Sequence, residues 1–212
     1  MNERTLGTPE RGVYSKPWMP RGCELCYPGS KAVIFVTGLC DDSCYYCPVS
    51  RERLGKDVFQ VNERRVSSVY EVVEEIERAG AQGASITGGD PLVKASRTIE
   101  VIRVLKEVFG RRFHIHLYTS GRYAGSSLLA RLAEAGLDEI RFHPTRPGFI
   151  EAASRAKRVG SWSVGFEIPV APALKEWAWE IVLKAEELGV EFVNLNEMEV
   201  TQDNINDIIM KG

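Results

Sequence analysis

Five apolar stripes at helical spacing run through the chain, each ended by a glycine and followed within a few residues by a short apolar run. Val69, Val72, Val73 and Ile76 predict an amphipathic helix over about Ser67–Ala79, stopped by Gly80. Val101, Ile102, Leu105 and Val108 predict a second over about Ala95–Phe109, stopped by Gly110. Leu128, Leu129 and Leu132 lead to Gly136, a weaker stripe over about Phe149–Val159 leads to Gly160, and Leu174, Trp177, Ala178, Ile181, Ala185 and Leu188 lead to Gly189. The apolar runs predict strands at about Lys31–Thr37, Ala84–Thr87, Phe113–Tyr118, Glu139–Phe142, Val164–Ile168 and Phe192–Leu195.

The helix-stop glycines recur at roughly 25 to 30 residues, the length of one strand–helix unit in a parallel sheet or barrel. Right-handed crossovers make the six strands parallel. The expected fold is α/β: a partial (β/α)6 TIM-like barrel of parallel strands, over 31–212, behind an N-terminal extended arm, 1–30. The arm is rich in Gly, Pro and Arg, with isolated Tyr14, Trp18 and Tyr27, and contains Cys23 and Cys26. The charged connection Arg51 to Arg65 is expected to fold over the functional face, which in such arrays is the C-terminal end of the strands. Asn204 to Met210 reads as a short last helix.

Composition narrows the class without naming a chemistry. A net charge of −2 advertises no nucleic-acid surface. No apolar run approaches the length of a membrane span, and the polar N-terminus carries no apolar signal core. Five cysteines leave one unpaired if disulfides form, and their close spacing suits metal better, so a reducing cytoplasm is expected.

The chemistry sits in Cys40-Asp41-Asp42-Ser43-Cys44-Tyr45-Tyr46-Cys47, directly after the first strand. Zinc would want a fourth ligand that is not obvious nearby. Three thiolates leave a four-iron cluster one ligand short, with one iron open. The stretch resembles the signature of the radical S-adenosylmethionine (SAM) enzymes, three cysteines at this spacing with an aromatic, here Tyr46, before the last. Thr87-Gly88-Gly89-Asp90-Pro91 resembles that family's Gly-Gly-Glu-Pro turn, with Asp90 where Glu is commoner.

The resemblance implies a [4Fe–4S] cluster on Cys40, Cys44 and Cys47. It implies SAM on the open iron, cleaved by one electron to a 5′-deoxyadenosyl radical that abstracts hydrogen from a substrate. Gly88, Gly89, Asp90 and Pro91 would hold SAM, with Tyr46, Thr119, Ser120, His143, Glu167, Ile168 and Asn196 as further contacts at the strand ends. Glu167 pairing with Arg141 on the neighbouring strand is the competing reading of that carboxylate. His114 and His116 share one face of their strand and read as buried, hydrogen-bonded histidines. The short barrel looks most like the pyruvate formate-lyase activating enzyme group, which implies a protein or peptide substrate and an electron donor such as ferredoxin or flavodoxin. Two other readings stay open, a modifying enzyme for RNA or a cofactor precursor, and a non-catalytic zinc or iron–sulfur module. Cys23 and Cys26 could supply half of a second metal site.

Overall fold

A computed structural model describes residues 19–211. Eight strands form one sheet: β1 (Lys31–Phe35), β2 (Gln60–Val61), β3 (Arg64–Arg65), β4 (Gly83–Thr87), β5 (His114–Thr119), β6 (Glu139–Phe142), β7 (Ser163–Val170) and β8 (Phe192–Glu197). Their order is β3-β2-β1-β4-β5-β6-β7-β8. The six strands read from the apolar runs pair in parallel. The array is thus the expected α/β partial barrel.

The helices are α1 (Arg21–Cys26), α2 (Val69–Ala79), α3 (Ala95–Phe109), α4 (Ser126–Ala135), α5 (Glu151–Val159), α6 (Lys175–Leu188) and α7 (Ile205–Lys211). The apolar stripes of α2 to α6 meet β-strand residues such as Ile34, Ile86, Ile115 and Phe166 in one core, except that Val108, expected in the α3 stripe, lies near the end of that helix and is half exposed. Ser68 caps α2 in a capping box with Glu71, and Gly80 ends it with left-handed geometry.

Two expectations need correction. The N-terminal arm is not extended throughout: 21–26 is helical, while 1–18, with Tyr14 and Trp18, lies outside the described residues. α1 sits at the N-terminal end of the sheet, where Gly22 N–H donates to Glu139 Oε2 at 3.0 Å. The connection 51–65 is not a simple loop either. β2 and β3 form an antiparallel hairpin on β1, with Asn62 at a positive φ of 51° in its turn. Asn62 bonds Val33 through its own N–H (2.7 Å) and its Oδ1 (3.0 Å).

The segment before this hairpin is fastened by Asp57. Its carboxylate accepts from Arg97 (2.7 and 3.3 Å) and Thr37 (3.0 Å), with Lys94 at 2.9 Å. The Arg97 guanidinium, with Lys94 and Thr37, outweighs partial burial and holds the carboxyl well below the usual carboxylate range.

The inner side of the parallel strands is polar at the N-terminal end. Arg141 is 2% exposed and Glu139 fully buried. Glu139 Oε1 accepts from Arg141 Nε at 2.5 Å, and Arg141 Nη1 donates to Glu167 Oε2 at 2.5 Å. Burial opposes the ionised Glu139, but hydrogen bonds from His114 and Gly22 and the Arg141 charge keep its pKa low. Lys31 Nζ touches His114 Nδ1 (3.1 Å) and His116 Nδ1 (2.8 Å). Desolvation pulls the Lys31 pKa down to about 8 and the His116 pKa well below its usual value. The two histidines are the buried, hydrogen-bonded pair expected.

Two outcomes follow. Glu139→Ala removes one of the two carboxylates that pair the buried Arg141, leaving only Glu167, and should cost about 3–5 kcal/mol in urea unfolding; a loss under about 1 kcal/mol would contradict that role. The depressed Asp57 pKa gives stability that is present above the ordinary carboxylate pKa and lost as pH falls. The gap between wild type and Asp57→Asn should therefore shrink below about pH 4. A gap constant from neutral pH down through that range would count against the Asp57 contacts.

Candidate active site

The cysteine loop leaves β1 under tight main-chain restraint. Val36 N–H donates to Thr87 O (2.9 Å), Gly89 N–H to Thr37 O (2.8 Å) and Asp90 N–H to Leu39 O (2.9 Å). A Cβ on Gly88 would collide with Thr37 O, and one on Gly89 with Leu39 O. Gly88 also has a φ of 154°, which favours glycine. The resemblance assigned these glycines to holding SAM; the close approach the structure shows is to the chain entering the cysteine loop.

A cavity of about 370 Å³ opens at the C-terminal ends of the strands. Cys40, Cys44 and Cys47 line it, as do Tyr46, Gly88, Gly89, Pro91, Thr119, Ser120, His143, Glu167, Ile168 and Asn196. All the singled-out residues except Asp90 therefore share one wall system. Asp90 lies behind it, 1% exposed. Its carboxylate accepts from Leu92 N–H (3.0 Å), Thr119 Oγ1 (3.0 Å), Ser120 N–H (3.1 Å) and Ser120 Oγ (2.7 Å). Burial nevertheless pushes its pKa up against these donors. Asp90 is a clamp between the ends of β4 and β5, and it engages the Thr119 and Ser120 hydroxyls.

The thiols are half-buried, and burial pushes Cys40 and Cys44 up to about 11 and Cys47 upward. Binding a metal centre would expel their protons. Among the described residues no three His, Cys, Asp or Glu side chains are grouped as for a single metal ion. The histidine on the cavity wall has both nitrogens engaged. His143 Nδ1 lies 3.1 Å from the Glu167 carbonyl and must donate, so Nε2 accepts from Tyr46 O–H at 3.0 Å. Desolvation lowers the His143 pKa, consistent with a neutral ring. The donor set thus offers three thiols and no free imidazole, which fits a three-cysteine iron–sulfur cluster better than tetrahedral zinc.

Glu167 is both a cavity residue and an ion-pair partner: Oε2 pairs with Arg141, and Oε1 accepts from Asn196 Nδ2 at 2.9 Å. Arg141 does not line the cavity and acts from beneath Glu167. Cys23 and Cys26 lie at the opposite end of the sheet. Cys23 Sγ accepts from Arg141 Nη2 at 3.2 Å, Cys26 is exposed, and no third ligand joins them among the described residues.

Sequence reasoning missed Asn204, which is 2% exposed. Its Nδ2 donates to Tyr46 O (3.1 Å) and Glu199 O (2.8 Å), latching the segment after β8 onto the cysteine loop. No local pattern signals a contact across that much sequence. Asp42 and Thr145, on the cavity wall, were missed as well.

This arrangement agrees with comparisons to known proteins. Residues 34–191 match the Radical SAM superfamily. The chain belongs to the radical SAM superfamily. It is 38% identical over 206 residues to a Methanocaldococcus jannaschii protein that carries the name "putative glycyl-radical enzyme activating enzyme", covering 92% of this chain and 54% of that one. Among solved structures, anSMEcpe with bound AdoMet and the Cp18Cys peptide gives a TM-score of 0.60 at 14% identity, over 80% of this chain and 51% of that one. Coproporphyrinogen III oxidase (HemN) from Escherichia coli, described as a radical SAM enzyme, gives 0.57 at 10% identity, over 92% and 51%. At those identities the solved structures speak for the fold alone. The chain spans about half the length of these relatives.

Within the family turn, the Asp90 carboxylate is fitted to its donors. Asp90→Asn keeps the volume but removes the charge, and should cost about 1.5–3 kcal/mol in urea unfolding. Asp90→Glu adds a methylene to a packed site and should cost about 1–3 kcal/mol. Two neutral substitutions would show that the clamp contributes little.

Proposed function

We propose that Cys40, Cys44 and Cys47 hold a [4Fe–4S] cluster, and that the protein is a radical SAM enzyme of the activating-enzyme type with a protein or peptide substrate. The observation that carries this reading is the sharing of one cavity by three cysteines of one loop and the Gly88–Gly89 turn that braces that loop. Bound there, the cluster would supply the electron for reductive cleavage of SAM, giving the 5′-deoxyadenosyl radical that abstracts hydrogen.

The chain's own residues do the holding. The Thr87–Asp90 turn fixes the entry to the cysteine loop, and Tyr46 pins the loop's far end to His143. Gly88 and Gly89 present main chain to the ligand. Thr119, Ser120, Ile168 and Asn196 contribute to the wall, and Glu167 is one of the carboxylates set on it. Leu54, from the connection before the hairpin, adds an apolar side chain to the cavity wall. An electron donor such as ferredoxin or flavodoxin would reach the cluster from the exposed side of the loop.

A peptide is favoured over RNA because no Lys or Arg lines the cavity among the described residues, so nothing there would meet a phosphate. The activating-enzyme name of the M. jannaschii relative points the same way. No helix among the described residues is long and apolar enough to cross a membrane.

Anaerobic reconstitution tests this directly. Wild type should take up about four irons per chain with matching sulfide, and Cys44→Ala should lose the cluster absorbance. With dithionite and SAM, wild type should form 5′-deoxyadenosine. An intact cluster that binds SAM yet yields none would overturn the enzymatic reading.

A further inference from the structure

The cavity carries charge of one sign. Asp42, Glu167, Glu197 and Glu199 line it, with no Lys or Arg among the described lining residues. Glu167 is balanced from beneath by Arg141. Glu197 and Glu199 are exposed at the end of β8 and just beyond it, and neither has an ion-pair partner among the described residues. Carboxylates on a concave wall raise the local concentration of cations.

Asp42 adds a more specific demand. Its side chain is 4% exposed, and both carboxylate oxygens are buried without a hydrogen bond. Arg122 Nη1 lies 3.7 Å from Oδ1, too far to bond it, and Arg122 is shared with Asp41 at 4.0 Å. Thr145 Oγ1, also on the cavity wall, is likewise buried without a partner. Buried carboxylate lone pairs without donors are unfavourable unless a ligand supplies them. A cluster on three thiolates is itself anionic and supplies no donor, and in the function proposed above the SAM amino group is taken by the open iron.

We propose that the cavity receives a ligand carrying a protonated amine or guanidinium, with Asp42 and Thr145 accepting its hydrogen bonds and Glu197 and Glu199 attracting it. The inference rests on the function proposed above, and deepens it: the substrate is a basic peptide, presenting a lysine or arginine side chain. The proton stays on the cation, and the carboxylates bind and orient it.

The test is binding, read without turnover. Calorimetry on the reconstituted, SAM-bound protein compares three capped tripeptides: Gly-Lys-Gly, the same peptide with an acetylated lysine, and Gly-Glu-Gly. The lysine peptide should bind about tenfold more tightly than the other two, a preference that shrinks in high salt. Asp42→Asn should weaken the lysine peptide about tenfold and leave the acetylated one unchanged. Because Asp42 neighbours Cys40 and Cys44, its iron content is measured first. If that variant loses the cluster, the Glu197→Gln/Glu199→Gln double variant decides, and it should reduce the preference about threefold.

Equal binding of the three peptides, binding of none, or a preference unchanged in the deciding variant overturns the proposal. So does an Asp42→Asn protein with weaker SAM binding but unaltered lysine-peptide binding, which assigns the carboxylate to the cofactor. Wild type that shows the lysine preference but forms no 5′-deoxyadenosine would instead sink only the enzymatic reading.

Discussion

Three main-chain hydrogen bonds and two missing Cβ atoms join the end of β4 to the chain leaving β1, and the candidate site is built on that junction. Parallel pairing of β1 with β4 brings Phe35 opposite Thr87. The Thr87–Asp90 turn continues the pairing past the strand ends, where regular structure would otherwise give out. The cysteine loop therefore starts from a fixed position. Asp90 secures the turn to β5 from behind, the Tyr46–His143 bond secures the loop to β6, and Asn204 ties it to the segment after β8. A loop of eight residues carrying three cysteines is restrained from the ends of β4 and β6 and from the segment after β8, as a preorganised centre requires.

The interior of the strand array serves a different need. Glu139, Arg141 and Glu167 form a line of alternating charge from the N-terminal end of the sheet to the cavity wall. Desolvating these groups is costly, and replacing them all with apolar residues of similar volume could be neutral or better for stability. Their arrangement instead fixes one position for the Glu167 carboxylate, which Asn196 braces from β8. Gly22 closes the opposite end, where a Cβ would press on Arg141 Nη2 at 2.6 Å and Glu139 Oε1 at 2.7 Å. α1 can seat there because that residue is glycine.

Much of this was legible in the sequence because it follows from periodicity and from a compact motif. The apolar stripes of α2 to α6 and the runs of the six parallel strands carry strong local signals, and the cysteine spacing singled out three side chains that line one cavity. The hairpin of β2 and β3 was not legible, since each strand is two residues long in a charged stretch. α1 was hidden because six residues beginning Arg21-Gly22 show no sustained period. Gly88 and Gly89 were singled out as holding SAM, yet the main chain that packs against them is visible only in three dimensions. Asp42, Thr145 and Asn204 matter through contacts or missing contacts with residues distant in sequence, which no single-sequence pattern encodes. The Glu167–Arg141 pair was accessible because strand alternation set both on the same side of neighbouring strands.

In the proposed function the cysteine loop and the glycine turn together seat a cluster with SAM on its open iron. Electron–nuclear double resonance on the reduced protein, with SAM labelled by nitrogen-15 at the amino group and oxygen-17 at the carboxylate, tests it directly. Both labels should show hyperfine coupling to the cluster spin. A reduced cluster with SAM demonstrably bound and neither label coupled would contradict it.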